Sequence, residues 1–325
     1  MGYIFDALNQ IGDKKPEDET TPQASDVLVD PPENDGQIFS AISEDEADCS
    51  QENNEVEPTT QQPASAEADG TLSSKHITID VSKQWLDSVD DRLIALREPS
   101  TVMAEEYRSI RTSLLARWNH ERHLVHTITS ATPQEGKTIT SINLGLTFAE
   151  LHNRSVIVIE ADLRLPTFEK LLHLQANTGL VEYLRGQCNL SKIIHQIGEN
   201  GLHVIPAGSR ANNDSVTMLS SQRMTNLVKE LRTRYDHVII DTPPVVELAD
   251  AGILGSISDD VLLIARMNRT PKSLIEQAKR TLTSYNAPVS GMIATDQRHV
   301  RRKHYYYRYG YRYNYHNRYY TKQAA

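Results

Sequence analysis

Three short stretches of this 325-residue chain hold residues that could do chemistry together. The first is SATPQEGKT, residues 130–138, which follows an apolar run and leads into a helix-forming stretch. That is the context a phosphate-binding loop requires. Its backbone N–H groups and the helix N-terminus behind them would face phosphate oxygens. Gly136 lets the backbone approach closely. Lys137 offers a point charge, and Thr138 offers a hydroxyl to Mg²⁺. The cradle would span Thr132, Pro133, Gln134, Glu135, Gly136, Lys137, Thr138 and Ile139. One departure from the strict pattern is Ala131, where a glycine is usual.

The second stretch is VIVIEADLRLP, residues 156–166. An apolar strand ends there in two acids, Glu160 and Asp162, spaced to point the same way. The third is HVIIDTPPV, residues 237–245, a strand ending in Asp241. Acids at strand ends beside a phosphate loop can hold Mg²⁺ or orient a hydroxyl. Lys137, Glu160, Asp162 and Asp241 are therefore the candidate catalytic residues, with Thr138, Asp162 and Asp241 as candidate metal ligands. Each stretch alone has a plainer reading: a bare GKT, a strand cap paired with Arg164, or a buried acid capping a turn. Their agreement favours the phosphate site.

A fourth feature is HYYYRYGYRYNYHNRYY, residues 304–320, which has no helical or strand periodicity. Its nine tyrosines are Tyr305, Tyr306, Tyr307, Tyr309, Tyr311, Tyr313, Tyr315, Tyr319 and Tyr320. Residues 301–325 hold seven Arg or Lys and no acid, whereas residues 1–74 hold eighteen acids and two lysines. The net charge of −9 thus conceals an acidic front, a neutral middle and a basic, aromatic end.

The elements that must position these groups follow from hydrophobic spacing. Ile4, Ala7, Leu8 and Ile11 recur at helical intervals, which predicts a short amphipathic helix over residues 1–12. Residues 13–75 are polar and acidic with few large apolar side chains, and read as a disordered linker. From 76 to 300 the pattern alternates. A helix at 102–118 precedes strands at 124–129, 155–159, 202–205, 238–241, 260–266 and 289–294. Helices fall between them at 138–152, 167–173, 179–185, 221–234 and 271–285. Such alternation predicts an α/β fold with a mainly parallel sheet covered on both faces. Residues 301–325 read as a disordered tail. No apolar run approaches the ~20 residues that span a bilayer, no signal-peptide layout opens the chain, and two cysteines, Cys49 and Cys188, are too few for a disulfide framework. A cytoplasmic, reduced protein is expected.

Taken together, these motifs resemble the bacterial protein-tyrosine kinases. Pro133-Gln134-Glu135-Gly136-Lys137-Thr138 matches the family's Walker A, and Glu160-Ala161-Asp162-Leu163-Arg164-Leu165-Pro166 its acidic second motif. Val238-Ile239-Ile240-Asp241-Thr242-Pro243-Pro244 matches its Walker B. Glu105, Arg108 and Arg111 match its E-x-x-R-x-x-R oligomerisation helix. The likeness runs from about Leu96 to the end. Two positions depart: Glu160 stands where the family has Asp, and Thr295 where it has an Asn that contacts the base. The division and partition ATPases share this fold, but they carry a lysine where this chain has Thr132, and they lack a tyrosine tail.

The resemblance implies a P-loop NTPase-like fold, ATP and Mg²⁺ as cofactors, and autophosphorylation of the tail tyrosines. It further implies a homo-oligomeric ring in which one subunit's tail reaches the next, and regulation of exopolysaccharide synthesis or export. The implied partners are a membrane activator of the polysaccharide co-polymerase type, which would recruit the protein to the inner face of the membrane, and an opposing tyrosine phosphatase. Two other readings stay open. One is a nucleotide-binding scaffold without catalysis. The other is a nucleic-acid binder acting through the tail, since Arg and Tyr offer phosphate contacts and stacking faces. The acidic front segment argues against a general binder of polyanions.

Overall fold

The computed structural model describes residues 4–5, 77–119, 121–176, 178–198, 201–211 and 213–295. The expected linker, the tyrosine tail and all of the expected N-terminal helix except residues 4–5 lie outside these. In chain order the elements are β1 (Ile4–Phe5), β2 (Ile77–Ile79), α1 (Lys83–Ser88), α2 (Ile94–Arg97), α3 (Val102–Arg117), β3 (Leu124–Ser130), α4 (Lys137–Ala149), β4 (Val156–Glu160) and α5 (Phe168–Leu171). There follow α6 (Leu180–Leu184), β5 (His195–Ile197), β6 (His203–Ile205), α7 (Ser215–Leu219), α8 (Gln222–Arg234), β7 (His237–Asp241), α9 (Asp250–Gly255), β8 (Asp260–Arg266), α10 (Lys272–Ser284) and β9 (Val289–Thr295).

Among the described residues the strands form one sheet in the order β1-β9-β8-β3-β7-β4-β6-β5-β2. Every junction is parallel except β1–β9 and β5–β6. The central strands β3, β4 and β7 are buried along their whole length, as helices on both faces of a parallel sheet require. Alternate side chains feed opposite cores. Ile128, Val158 and Ile239 pack with Ile110 and Leu114 of α3 and with Ile142 and Phe148 of α4. Val125, Ile157, Val238 and Ile240 pack with Leu227, Val228 and Leu231 of α8. Val261 and Leu263 of β8 meet Ala278 and Leu282 of α10. A Cβ on Gly145 would lie 2.5 Å from Val158 Cγ2, so α4 packs on β4 through a residue without a side chain.

Several features differ from the sequence expectation, which also lacks the short helices α1 and α2. Residues 4–5 belong to a strand, not a helix: Ile4 pairs with Ile293 and Phe5 with Met292. The edge of β9 offers unpaired N–H and C=O groups, whereas a lone helix of about ten residues is marginal in water. The three-residue strands β2 and β5 are too short to show a period. The helices α7 and α9, of five and six residues, fall below the window in which a helical stripe is visible. The helix expected over 138–152 ends at Ala149.

Candidate active site

Three parallel neighbours put their C-terminal ends side by side. Ile128 of β3 and Glu160 of β4 both pair with Asp241 of β7. Ligands of open α/β sheets bind at such strand ends. The loop from Ala131 to Gly136 leaves β3 and turns into α4. Gly136 caps the helix with φ 96°, a left-handed conformation that favours glycine. Gln134, with φ 63°, is also left-handed. Lys137, the first residue of α4, sends Nζ to 3.2 Å from Asp162 Oδ2. Asp162 Oδ1 accepts the Leu165 N–H at 3.1 Å, which closes the turn after β4. A cation from the first turn of α4 and a carboxylate from the turn after β4 thus meet at the phosphate cradle.

Asp241 is fully buried. The Ser141 hydroxyl donates to its Oδ1 at 3.1 Å, while Oδ2 has no hydrogen-bond partner. Burial pushes its carboxyl up to about 6, and the nearby Lys137 charge and the Thr138 and Ser141 hydroxyls oppose that rise. A buried carboxylate oxygen left without a donor is costly. A cation beside Thr138, Asp162 and Asp241 would satisfy it, so these residues fit Mg²⁺ that arrives with nucleotide phosphates.

Glu160 is placed differently. Its Oε1 accepts the N–H groups of Thr167 and, at 2.8 Å, Phe168, and its Oε2 accepts the Ala207 N–H at 2.9 Å. Burial raises its carboxyl to about 7, against the pull of these three donors and with a smaller push from Asp241. Both oxygens are committed to backbone, at the start of α5 and in the loop after β6. The two acids of the EADLR motif therefore separate: Asp162 meets Lys137, and Glu160 ties down the loop that carries Asp162.

Glu135 is buried inside the phosphate loop. Its carboxylate accepts the Thr132 N–H at 3.1 Å, the Thr132 hydroxyl at 3.0 Å and the Thr270 hydroxyl. Thr295 donates its hydroxyl to the Glu135 carbonyl at 2.7 Å, and its Cγ2 lies 3.6 Å from where a Gly136 Cβ would sit. Thr295 therefore braces the loop, and so does the turn after β8 through Thr270. Pro133 and Gln134 are exposed at the loop's tip, with Ile139 half-buried in the first turn of α4.

Glu105, Arg108 and Arg111 gather on α3 around Glu150, next to the C-terminus of α4. Arg108 grips Glu150 with Nε at 2.7 Å and a second nitrogen at 2.5 Å, and Glu105 at 2.6 Å. Arg111 reaches Glu150 at 3.2 Å and the Thr147 carbonyl. Glu150, Thr270 and Asp250 carry no motif of their own. Asp250 was visible only as an acid among small apolar residues nine positions after Asp241. It is fully buried at the start of α9, with the Arg164 guanidinium 3.8 Å away.

The AAA domain family matches residues 133–285, from the phosphate loop through α10. Tyrosine-protein kinase YwqD of Bacillus subtilis is 34% identical over 216 residues, covering 66% of this chain and 90% of that relative. Tyrosine-protein kinase ptk of Acinetobacter johnsonii is 34% identical over 204 residues, 63% of this chain, and the chain spans 28% of that relative's length. The solved kinase domain of Escherichia coli tyrosine kinase ETK superposes with a TM-score of 0.61 at 29% identity, covering 68% of this chain and 90% of that domain. Among the described residues no helix is long and apolar enough to cross a membrane. With 90% of one tyrosine-protein kinase's length matched at 34% identity, the chain belongs to the bacterial protein-tyrosine kinase family.

Proposed function

We propose that the protein is an ATP-dependent protein-tyrosine autokinase that phosphorylates the tyrosines of its own tail, one subunit acting on the next. The observation that carries this reading is the Lys137–Asp162 pair beside the buried, half-unpartnered Asp241, in a chain that ends in nine tyrosines within seventeen residues. Phosphoryl transfer is mainly positioning and charge stabilisation. The loop from Thr132 to Ile139 binds the phosphates, and Lys137 neutralises charge on the group in transit. The tyrosine oxygen attacks the γ-phosphorus, the bond to the β,γ-bridging oxygen breaks, and ADP leaves. A phenol with a pKa near 10 must shed its proton during transfer. In this reading Asp162, which lies beside Lys137, orients the hydroxyl and takes that proton, and Glu160, whose oxygens accept three backbone N–H groups, holds the loop. Thr138, Asp162 and Asp241 would hold Mg²⁺, which would supply positive charge to the phosphates.

The E-x-x-R-x-x-R face supports assembly into a ring, and the family's link to polysaccharide export supports a membrane activator, an opposing phosphatase and a role in exopolysaccharide production. Mass spectrometry of residues 301–325 after incubation with Mg-ATP tests the reaction. Wild type should gain phosphate on several tyrosines. Lys137→Met, incubated alone, should gain none, and a labelled tail in that variant would sink the proposal.

A further inference from the structure

Leu165 is the most exposed large apolar side chain among the described residues, at 64%. A single exposed leucine says little by itself, but this one is not on a loose loop. Its N–H is bonded to Asp162 Oδ1, the carboxylate whose other oxygen faces Lys137. The preceding Leu163 is fully buried, and its carbonyl accepts the Ala211 N–H at 2.9 Å. Arg164 turns to the buried Asp250. Past Pro166, the N–H groups of Thr167 and Phe168 are held by Glu160. Leu163, Arg164, Thr167 and Phe168 are each tied inward by a named contact, whereas the Leu165 side chain is exposed, on the turn that carries the proposed proton acceptor.

We infer that Leu165 is the platform for the acceptor tyrosine: the phenol ring packs on its side chain while the hydroxyl meets Asp162. This deepens the autokinase reading and rests on it. The occupant is the chain's own tail, residues 301–325 of a second copy, and two features select it. It supplies nine rings within seventeen residues, so many registers present one to a fixed leucine. It also carries seven basic residues and no acid, whereas Glu160, Asp162 and Asp241 at the strand ends and Asp250 at the start of α9 gather around the turn, against Lys137, Arg164 and, at the tip of the phosphate loop, Arg269. Bound nucleotide adds further negative charge. A basic chain is drawn to such a mouth, and a leucine contact needs only an aromatic face, not a sequence. Leu165 thereby favours tyrosine over serine or threonine, whose hydroxyls carry no ring to pack on it.

The test uses full-length protein as enzyme and the full-length Lys137→Met chain as acceptor, so that all phosphate on the acceptor is transferred between molecules. Leu165→Ala should raise KM for the acceptor roughly tenfold, the factor carried by about 1.4 kcal/mol of lost apolar contact. Its affinity for Mg-ATP should match wild type. Leu165→Met, which restores the apolar area, should bring KM back. An unchanged acceptor KM in Leu165→Ala overturns the inference, as does an equal loss of Mg-ATP affinity, which would point to a distorted phosphate site. Failure of wild type to label the acceptor at all overturns the autokinase reading instead, so the two failures are distinct.

Discussion

Asp241 and Glu160 face each other in register on adjacent strands, yet their carboxylates are stabilised in different ways. Glu160 has three backbone donors; Asp241 has no backbone donor, only the Ser141 and Thr138 hydroxyls nearby, and its Oδ2 makes no hydrogen bond. The folded state raises the Asp241 carboxyl from 3.8 to about 6. An acid raised on folding leaves stability intact below its unfolded pKa and removes it as pH climbs through the folded one. Without nucleotide, ionised Asp241 therefore costs stability that grows between about pH 4 and 6 and then stays constant. That rise corresponds to about 3 kcal/mol. Asp241→Asn should remove that cost. Thermal melts of the nucleotide-free variant should match wild type near pH 4 and exceed it by roughly 5 °C at pH 8, while phosphotransfer is lost. A variant no more stable than wild type at pH 8 would mean that Asp241 is already satisfied there. A stability deficit stored in a functional residue is what Mg-nucleotide binding would relieve.

Between elements, Glu160 does what no local pattern shows: it joins the end of β4 to the start of α5 and to the loop after β6. The sequence made its position on a strand end legible, and apolar runs likewise located β3, β4, β7 and β8. The partners were not legible, because the Ala207 N–H is 47 residues away and belongs to a backbone that any residue type supplies. The same holds for Glu150, which meets Arg108 across 42 residues, and for Thr270, which meets Glu135 across 135. Periodicity reports which face of an element is buried, not which polar groups meet when elements dock. Glu160→Gln separates this role from that of Asp241 although both changes replace an acid by its amide. The amide nitrogen cannot accept an N–H, so at least one buried donor loses its partner, at a cost of about 1–3 kcal/mol. Burial raises the Glu160 carboxyl as well, so its amide also removes a charge cost, and the unpartnered donor offsets that gain. Urea denaturation at pH 8 should therefore show a larger gain in stability for Asp241→Asn than for Glu160→Gln, and a gain in Glu160→Gln as large as that in Asp241→Asn would refute the division of labour between them.

At the scale of the whole chain, the charge segregation acquires a consequence once the tail is a substrate. Residues 301–325 bring seven positive charges and residues 1–74 a net sixteen negative ones. Each phosphate adds about −1.5 to −2 charges near neutral pH, so roughly four of the nine tyrosines need be used to neutralise the tail. Before reaction, tails are drawn to acidic surfaces, including a neighbour's front segment and site mouth; at about four phosphates that attraction is lost, and further phosphates turn it into repulsion. Autophosphorylation would then weaken the association that allowed it. The attraction acts between exposed charges, so it should fade beyond a Debye length of about 8 Å at physiological salt. Sedimentation velocity of wild type before and after Mg-ATP, with Lys137→Met as the unphosphorylated control, measures this directly. At low salt, Lys137→Met and untreated wild type should sediment as larger assemblies than phosphorylated wild type. Raising the salt to 0.5 M should narrow the difference. Profiles indifferent to both phosphate and salt would show that assembly rests on the α3 face alone and that the tail's charge plays no part in it.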